Sequence, residues 1–107
     1  MRFDVLELSL EVVRRLCQPL ARLRQSDPKL FDQMRRAASS VPLNLAEGSR
    51  RHGKDRLQLY RIAAGSADEL RTALRVALAW GELDHSAIAE PLALLDRVLA
   101  MLWRLTH

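Results

Sequence analysis

Residues 54–81 read KDRLQLYRIAAGSADELRTALRVALAWG, and this stretch decides the fold. Leu57, Tyr60, Ala64, Ala67, Arg71, Leu74, Leu78 and Gly81 recur at alternating spacings of three and four, with one charged exception, which puts one apolar seam along a long helix. Gly81 ends it as a C-cap, because glycine enters the left-handed conformation without a Cβ penalty. Gly65, Ser66 and Ala67 stand in mid-helix, where the glycine costs about 1 kcal/mol of propensity relative to alanine. Such a cost suggests the close approach of another helix.

Working outward, Asp84 is an N-cap for a last helix running to Leu105, with Ile88, Leu92, Leu95, Leu99 and Leu102 on one seam. Pro91, Leu94, Val98, Met101 and Leu105 form a second seam beside it, so the apolar arc exceeds the usual stripe of about 100°. Either this helix sits unusually deep, or the surplus seam faces another subunit; the expected oligomer interface is Leu94, Val98, Met101, Trp103 and Leu105. On the N-terminal side, Asp27-Pro28 reads as an N-cap followed by proline at the first helical position. It opens a helix carrying Leu30, Phe31, Met34, Ala37, Ala38, Val41, Leu45 and Ala46 inward, kinked at Pro42 and ending near Arg51, before Gly53. The first helix runs from about Phe3 to Arg24, with a bend expected at Pro19.

Four helices joined by short connections predict an all-α, antiparallel up-down-up-down four-helix bundle, and 107 residues suffice for one domain spanning 1–107. Composition agrees, since 49% apolar and 28% charged residues exclude a disordered chain, while eight glycines and prolines and few aromatics disfavour a sheet. No apolar run is long enough to cross a membrane, and the acids of MRFDVLELSLE exclude a signal peptide, so a cytoplasmic protein is expected. The lone Cys17 has no intramolecular partner, in keeping with a reducing compartment.

Net charge is +4, and its distribution is uneven. Residues 35–61 hold Arg35, Arg36, Arg50, Arg51, Lys54, Arg56 and Arg61 against only Glu47 and Asp55, leaving the remainder slightly acidic. Clustering of this kind attracts phosphate backbones or other acidic surfaces. Arg35-Arg36 and Arg50-Arg51 are about 22 Å apart along a straight helix at 1.5 Å per residue, a spacing that suits tracking of a phosphodiester backbone. A solvated face paired to neighbouring acids is the competing reading. Between the arginine pairs, Ser39, Ser40 and Asn44 around Pro42 make a polar notch, where freed carbonyls need side-chain donors. Only Tyr60 is aromatic nearby, so binding would be electrostatic rather than by base stacking.

Catalytic patterns are lacking. The one Glu-x-x-His, Glu82 to His85, straddles the Gly81 turn instead of projecting from a helix into a bundle. His52 and His107 read as ordinary surface histidines, and there is no phosphate loop, nucleophile elbow or Cys-x-x-Cys. No catalytic residue, metal ligand or cofactor is expected.

Two segments, QMRRAASSVPLNLAEGSRR at 33–51 and KDRLQLYRIAAGSADELRTALRVALAWGELD at 54–84, resemble the bacterial four-helix bundle proteins encoded within intervening sequences of 23S ribosomal RNA genes. The arginine pair, Ser-hydrophobic-Pro-x-Asn-hydrophobic-Ala-Glu-Gly and a later Gly-Ser-x-x-Glu-Leu occur in the order that the family shows. The resemblance extends to the accessory variability proteins of diversity-generating retroelements, pentameric basic barrels that bind nucleic acid and a reverse transcriptase. It implies a non-enzymatic cytosolic homo-oligomer, a pentamer by analogy, that binds RNA or DNA through the arginine-rich band. A reverse transcriptase or other acidic protein is the implied partner. A protein-interaction scaffold without nucleic acid is the alternative. Fold-defining positions carried over are Arg35, Arg36, Pro42, Asn44, Glu47 and Gly48, then Gly65, Ser66, Glu69 and Leu70.

Overall fold

In the computed structural model, which describes residues 2–107 and their side chains from Asp4 onward, the chain is helical apart from short turns. The helices are α1 (Arg2–Arg15), α2 (Cys17–Ser26), α3 (Pro28–Ser49), α4 (Gly53–Trp80) and α5 (His85–Thr106), and no strand occurs among the described residues.

The caps read from the sequence are in place. Asp27 Oδ1 accepts from the Leu30 amide at 3.2 Å with Pro28 in the first turn, and Asp84 Oδ1 accepts from the Ala87 amide at 2.9 Å. Each satisfies an amide that has no carbonyl one turn earlier. Gly81 closes α4 with φ +77°, and its amide bonds back to Leu78 O at 3.0 Å. α3 stops at Ser49, shortly before the expected Arg51, and Gly53 starts α4 with φ +58°.

The first helix differs from expectation. Instead of one bent rod with its bend at Pro19, the chain breaks at Leu16, whose amide is shared between Val12 O and Val13 O, both at 3.1 Å. The proline ring would strike the carbonyl four residues back, that of Arg15. Yielding there places Pro19 in the first turn of α2, where a missing amide hydrogen costs nothing. Leu16 and Leu23 on either side are fully buried, so the break is anchored by packing. Pro42 and Pro91, by contrast, are buried inside helices that continue through them.

α3 lies along α4. Gln33 reaches Glu69, Ser40 meets Ser66 and Gly48 meets Tyr60, so numbers rise on one helix as they fall on the other and the two run antiparallel. α5 packs on both α4 and α1, and α1 and α2 pack on α3. Ser9 and Val12 of α1, Ala38 and Val41 of α3, Leu70 of α4, and Leu95 and Val98 of α5 converge around one small internal void. The 28 residues of α4 extend about 42 Å at 1.5 Å each, matching the long dimension of 42 Å in a body 22 Å by 19 Å across. Leu16, Leu23, Met34, Leu70, Leu74, Leu95 and Leu102 are essentially inaccessible, each contributing about 1.5–3 kcal/mol on burial.

Both seams of α5 are used inside the chain. Ile88, Leu95 and Leu102 are buried, and so are Pro91 and Val98 from the second seam, because α1 covers one side of the helix and α4 the other. This corrects one member of the expected interface, Val98. Val98 is 0% exposed, Leu94, Met101 and Leu105 pack against the core, and Trp103 alone stands out, at 61%. Its indole stacks on the His107 ring with centroids 3.4 Å apart. Surplus apolar surface lies elsewhere, in Leu43 of α3 and in Ile62, Val76 and Trp80 of α4.

Candidate nucleic-acid interface

The basic band runs along α3, through the turn that follows it and into the third turn of α4, and local chemistry sorts its seven members into two groups. Glu47 captures one pair: its two carboxylate oxygens take Arg50 at 3.0 Å and Arg51 at 2.9 Å. Spacings of three and four bring these side chains together on one helical face. The guanidinium of Arg51, and then that of Arg50, holds the Glu47 carboxyl below the usual carboxylate range. Arg56 is also occupied, donating to Gly48 O at 3.3 Å and Ser49 O at 3.4 Å. It thereby joins the Arg51 amide at Gly48 O and adds a donor to Ser49 O at the end of α3.

Arg35, Arg36, Lys54 and Arg61 form the second group. All four are exposed, and none has a carboxylate within ion-pair distance among the described residues. Lys54 and Arg61 are two turns apart on one face of α4, about 10.5 Å at 1.5 Å per residue. Arg35 and Arg36 border a shallow groove on α3 together with Asp32, Ser39, Ser40, Leu43 and Asn44. The polar notch is built into this surface. Asn44 Nδ2 donates to Ser40 O at 2.8 Å and to Ser40 Oγ at 2.9 Å, while Ser40 Oγ lies 2.7 Å from Ser66 Oγ. The notch therefore ties α3 to α4 as well as serving the backbone near Pro42, and holds the two helices in register.

Sequence reasoning passed over further cations. Arg75 continues the seven-residue series of Lys54, Arg61 and Asp68 along α4, and the heptad spacing was the available signal. Asp68 in that series is neutralised by Arg71 at 2.8 Å, which also reaches Asp96 of α5 at 3.2 Å. Arg71, the charged exception on the apolar seam, is thus a bridge between α4 and α5. Arg97 and Arg104 add exposed charge on α5.

Away from the band, Glu82 and Asp27 bring the turn after α4 beside the start of α3. One Glu82 oxygen is buried without a hydrogen-bond partner, and burial together with the neighbouring Asp27 charge raises the Glu82 carboxyl above its ordinary range. Among the described residues no group of three His, Cys, Asp or Glu is placed to hold a metal ion, and no helix is long and apolar enough to cross a membrane.

Fold and band define a small all-helical protein with a cationic helix pair braced by a polar clasp. The family model described as 23S rRNA-intervening sequence protein matches residues 1–104, and the chain belongs to that family. No match is found among curated proteins or solved structures.

Proposed function

We propose that the chain is a non-enzymatic, homo-oligomeric accessory protein of the cytoplasm that binds RNA or DNA through the phosphate backbone. Its scaffold is an up-down-up-down four-helix bundle in which α1 and α2 together form one interrupted helix. The observation that supports this reading is that Arg35, Arg36, Lys54 and Arg61 are exposed and, among the described residues, without a carboxylate partner, on two helices held in register by the Ser40–Ser66 contact. A fixed array of free cations releases condensed counterions when it meets a polyanion, which favours binding without base recognition.

Exposed Leu43 and Ile62 beside the band favour a second reading, a scaffold that docks an acidic protein. A mobility-shift titration at low ionic strength with a structured RNA, a single-stranded RNA and a duplex DNA separates the two. Retarded complexes with any of these support polyanion binding, and their absence leaves the scaffold.

A further inference from the structure

The fold sets an aromatic platform beside the cationic band. The Trp103 indole is 61% exposed, although burying so large an apolar ring is strongly favourable. His107, one turn later, stacks on it with centroids 3.4 Å apart and ring planes 20° from parallel. Nδ1 of His107 lies 3.2 Å from Trp103 O, which holds the second ring in place. One face of the indole is thus covered, and the other faces solvent. Tyr60, the aromatic that the sequence places within the band, is 2% exposed and takes no part.

The ion bridge between α4 and α5 locates the platform. Arg71 takes Asp68 of its own helix at 2.8 Å and Asp96 of α5 at 3.2 Å, so Asp68 and Asp96 mark the flanks along which the two helices meet. Arg61 and Lys54 precede Asp68 by seven and fourteen residues and share its flank, while Trp103 follows Asp96 by seven and shares the other. The turn at Gly81 folds α5 back along α4, so counting down α4 and up α5 leads toward the same end. At 1.5 Å per residue Arg61 stands about 15 Å from the level of Arg71, and Trp103 about 10.5 Å from that of Asp96. The two are therefore within about one turn of each other along helices whose axes pack about 8–10 Å apart. Arg104, exposed beside the indole on α5, adds a third cation to Arg61 and Lys54.

We propose that Trp103 stacks an unpaired base of a single-stranded nucleic acid whose phosphates lie on Arg61 and Lys54. The indole face turned away from His107 receives the base, and Arg61 neutralises the adjoining phosphate. An exposed aromatic face next to a track of cations is the combination that single-strand binding uses. Stacking accepts any base, because every base has a π-face, so the preference is for single strands over duplexes and not for a sequence. In a duplex the bases already stack on one another and the platform has nothing to receive. The inference rests on the proposed phosphate binding and narrows it to unpaired strands.

Trp80, 75% exposed at the opposite end of α4, is the internal control. Titrating a uridine-only RNA into Trp80→Phe, whose emission comes from Trp103, is expected to quench the fluorescence. Trp103→Phe, which reports Trp80, is expected to stay bright, and a duplex DNA is expected to quench neither. In filter retention, Trp103→Ala is expected to weaken RNA binding roughly tenfold with an unchanged salt slope, since no cation is lost, and to leave duplex affinity as it was. Trp103→Phe keeps an aromatic face and is expected to recover most of that loss. RNA affinity untouched by Trp103→Ala, or equal quenching of Trp103 by RNA and duplex, overturns the proposal and leaves phosphate binding standing. Failure of the wild type to retain any nucleic acid removes both.

Discussion

The ring of Tyr60 lies so close to the backbone of Gly48 that a Cβ at position 48 would fall 2.7 Å from Cε1 and 2.8 Å from Cδ1. This contact closes the end of the α3–α4 pair, and Tyr60 has no room to retreat, being 2% exposed. Gly48→Ala is therefore expected to destabilise the protein by about 1–3 kcal/mol through overpacking, despite alanine's better helix propensity. Gly65→Ala, in open space, is expected to stabilise the chain by about 1 kcal/mol. Thermal melts at sub-micromolar concentration, where self-association adds nothing, compare the two. Equal shifts would contradict the packing described.

Glu82 yields a pH signature. Its carboxyl is raised by burial and by the Asp27 charge, so the folded state holds the proton more tightly than the unfolded chain does. The stability tied to that proton is complete below the unfolded value and is lost as pH rises through the folded one. Glu82→Gln cannot ionise. Its melting temperature is expected to exceed that of the wild type at neutral pH and to converge with it below about pH 4, where the wild-type carboxyl is protonated in both states. A Glu82→Gln melting curve that tracked the wild type at every pH would refute the burial argument.

Glu47 restrains two arginines of the band. Glu47→Gln removes the carboxylate that Arg50 and Arg51 share, and is expected to raise RNA affinity. Two additional phosphate contacts would steepen the log–log salt dependence for single-stranded RNA by about 1.4. The melting temperature is expected to change little, because exposed ion pairs contribute little to stability. An unchanged salt slope would mean that Arg50 and Arg51 lie outside the binding surface. Arg56→Ala is expected to act in the opposite sense, loosening the end of α3 with a minor effect on RNA, since its guanidinium serves backbone carbonyls.

Local chemistry was legible in the sequence wherever a residue acts on its own neighbourhood. Asp27, Pro28, Gly81 and Asp84 marked helix ends because capping needs only residues within one turn. Pro19 signals a bend at itself, but the chain breaks at Leu16 instead, since the ring constrains a carbonyl one turn earlier and the burial of Leu16 and Leu23 selects where the chain yields. The double seam of α5 correctly signalled excess apolar surface. Whether α1 and α4 cover it is a property of helix arrangement, and Val98, expected to face outward, belongs to the core. In the band, net charge counted Arg50 and Arg51 fully, although their spacing from Glu47 already held the ion pairs that occupy them. The contact of Ser40 with Ser66 depends on the register between helices and has no counterpart in either helix's own periodicity.

The central claim is that unpaired cations of α3 and α4 bind a phosphate backbone. Filter retention of single-stranded RNA across a series of salt concentrations tests it most directly, for the wild type and for a variant with Arg35, Arg36, Lys54 and Arg61 all replaced by alanine. Four phosphate contacts predict a wild-type log–log slope of about −3 and loss of retention in the variant at every salt concentration. No retention by the wild type at low salt, or equal retention by the two proteins, would contradict the account.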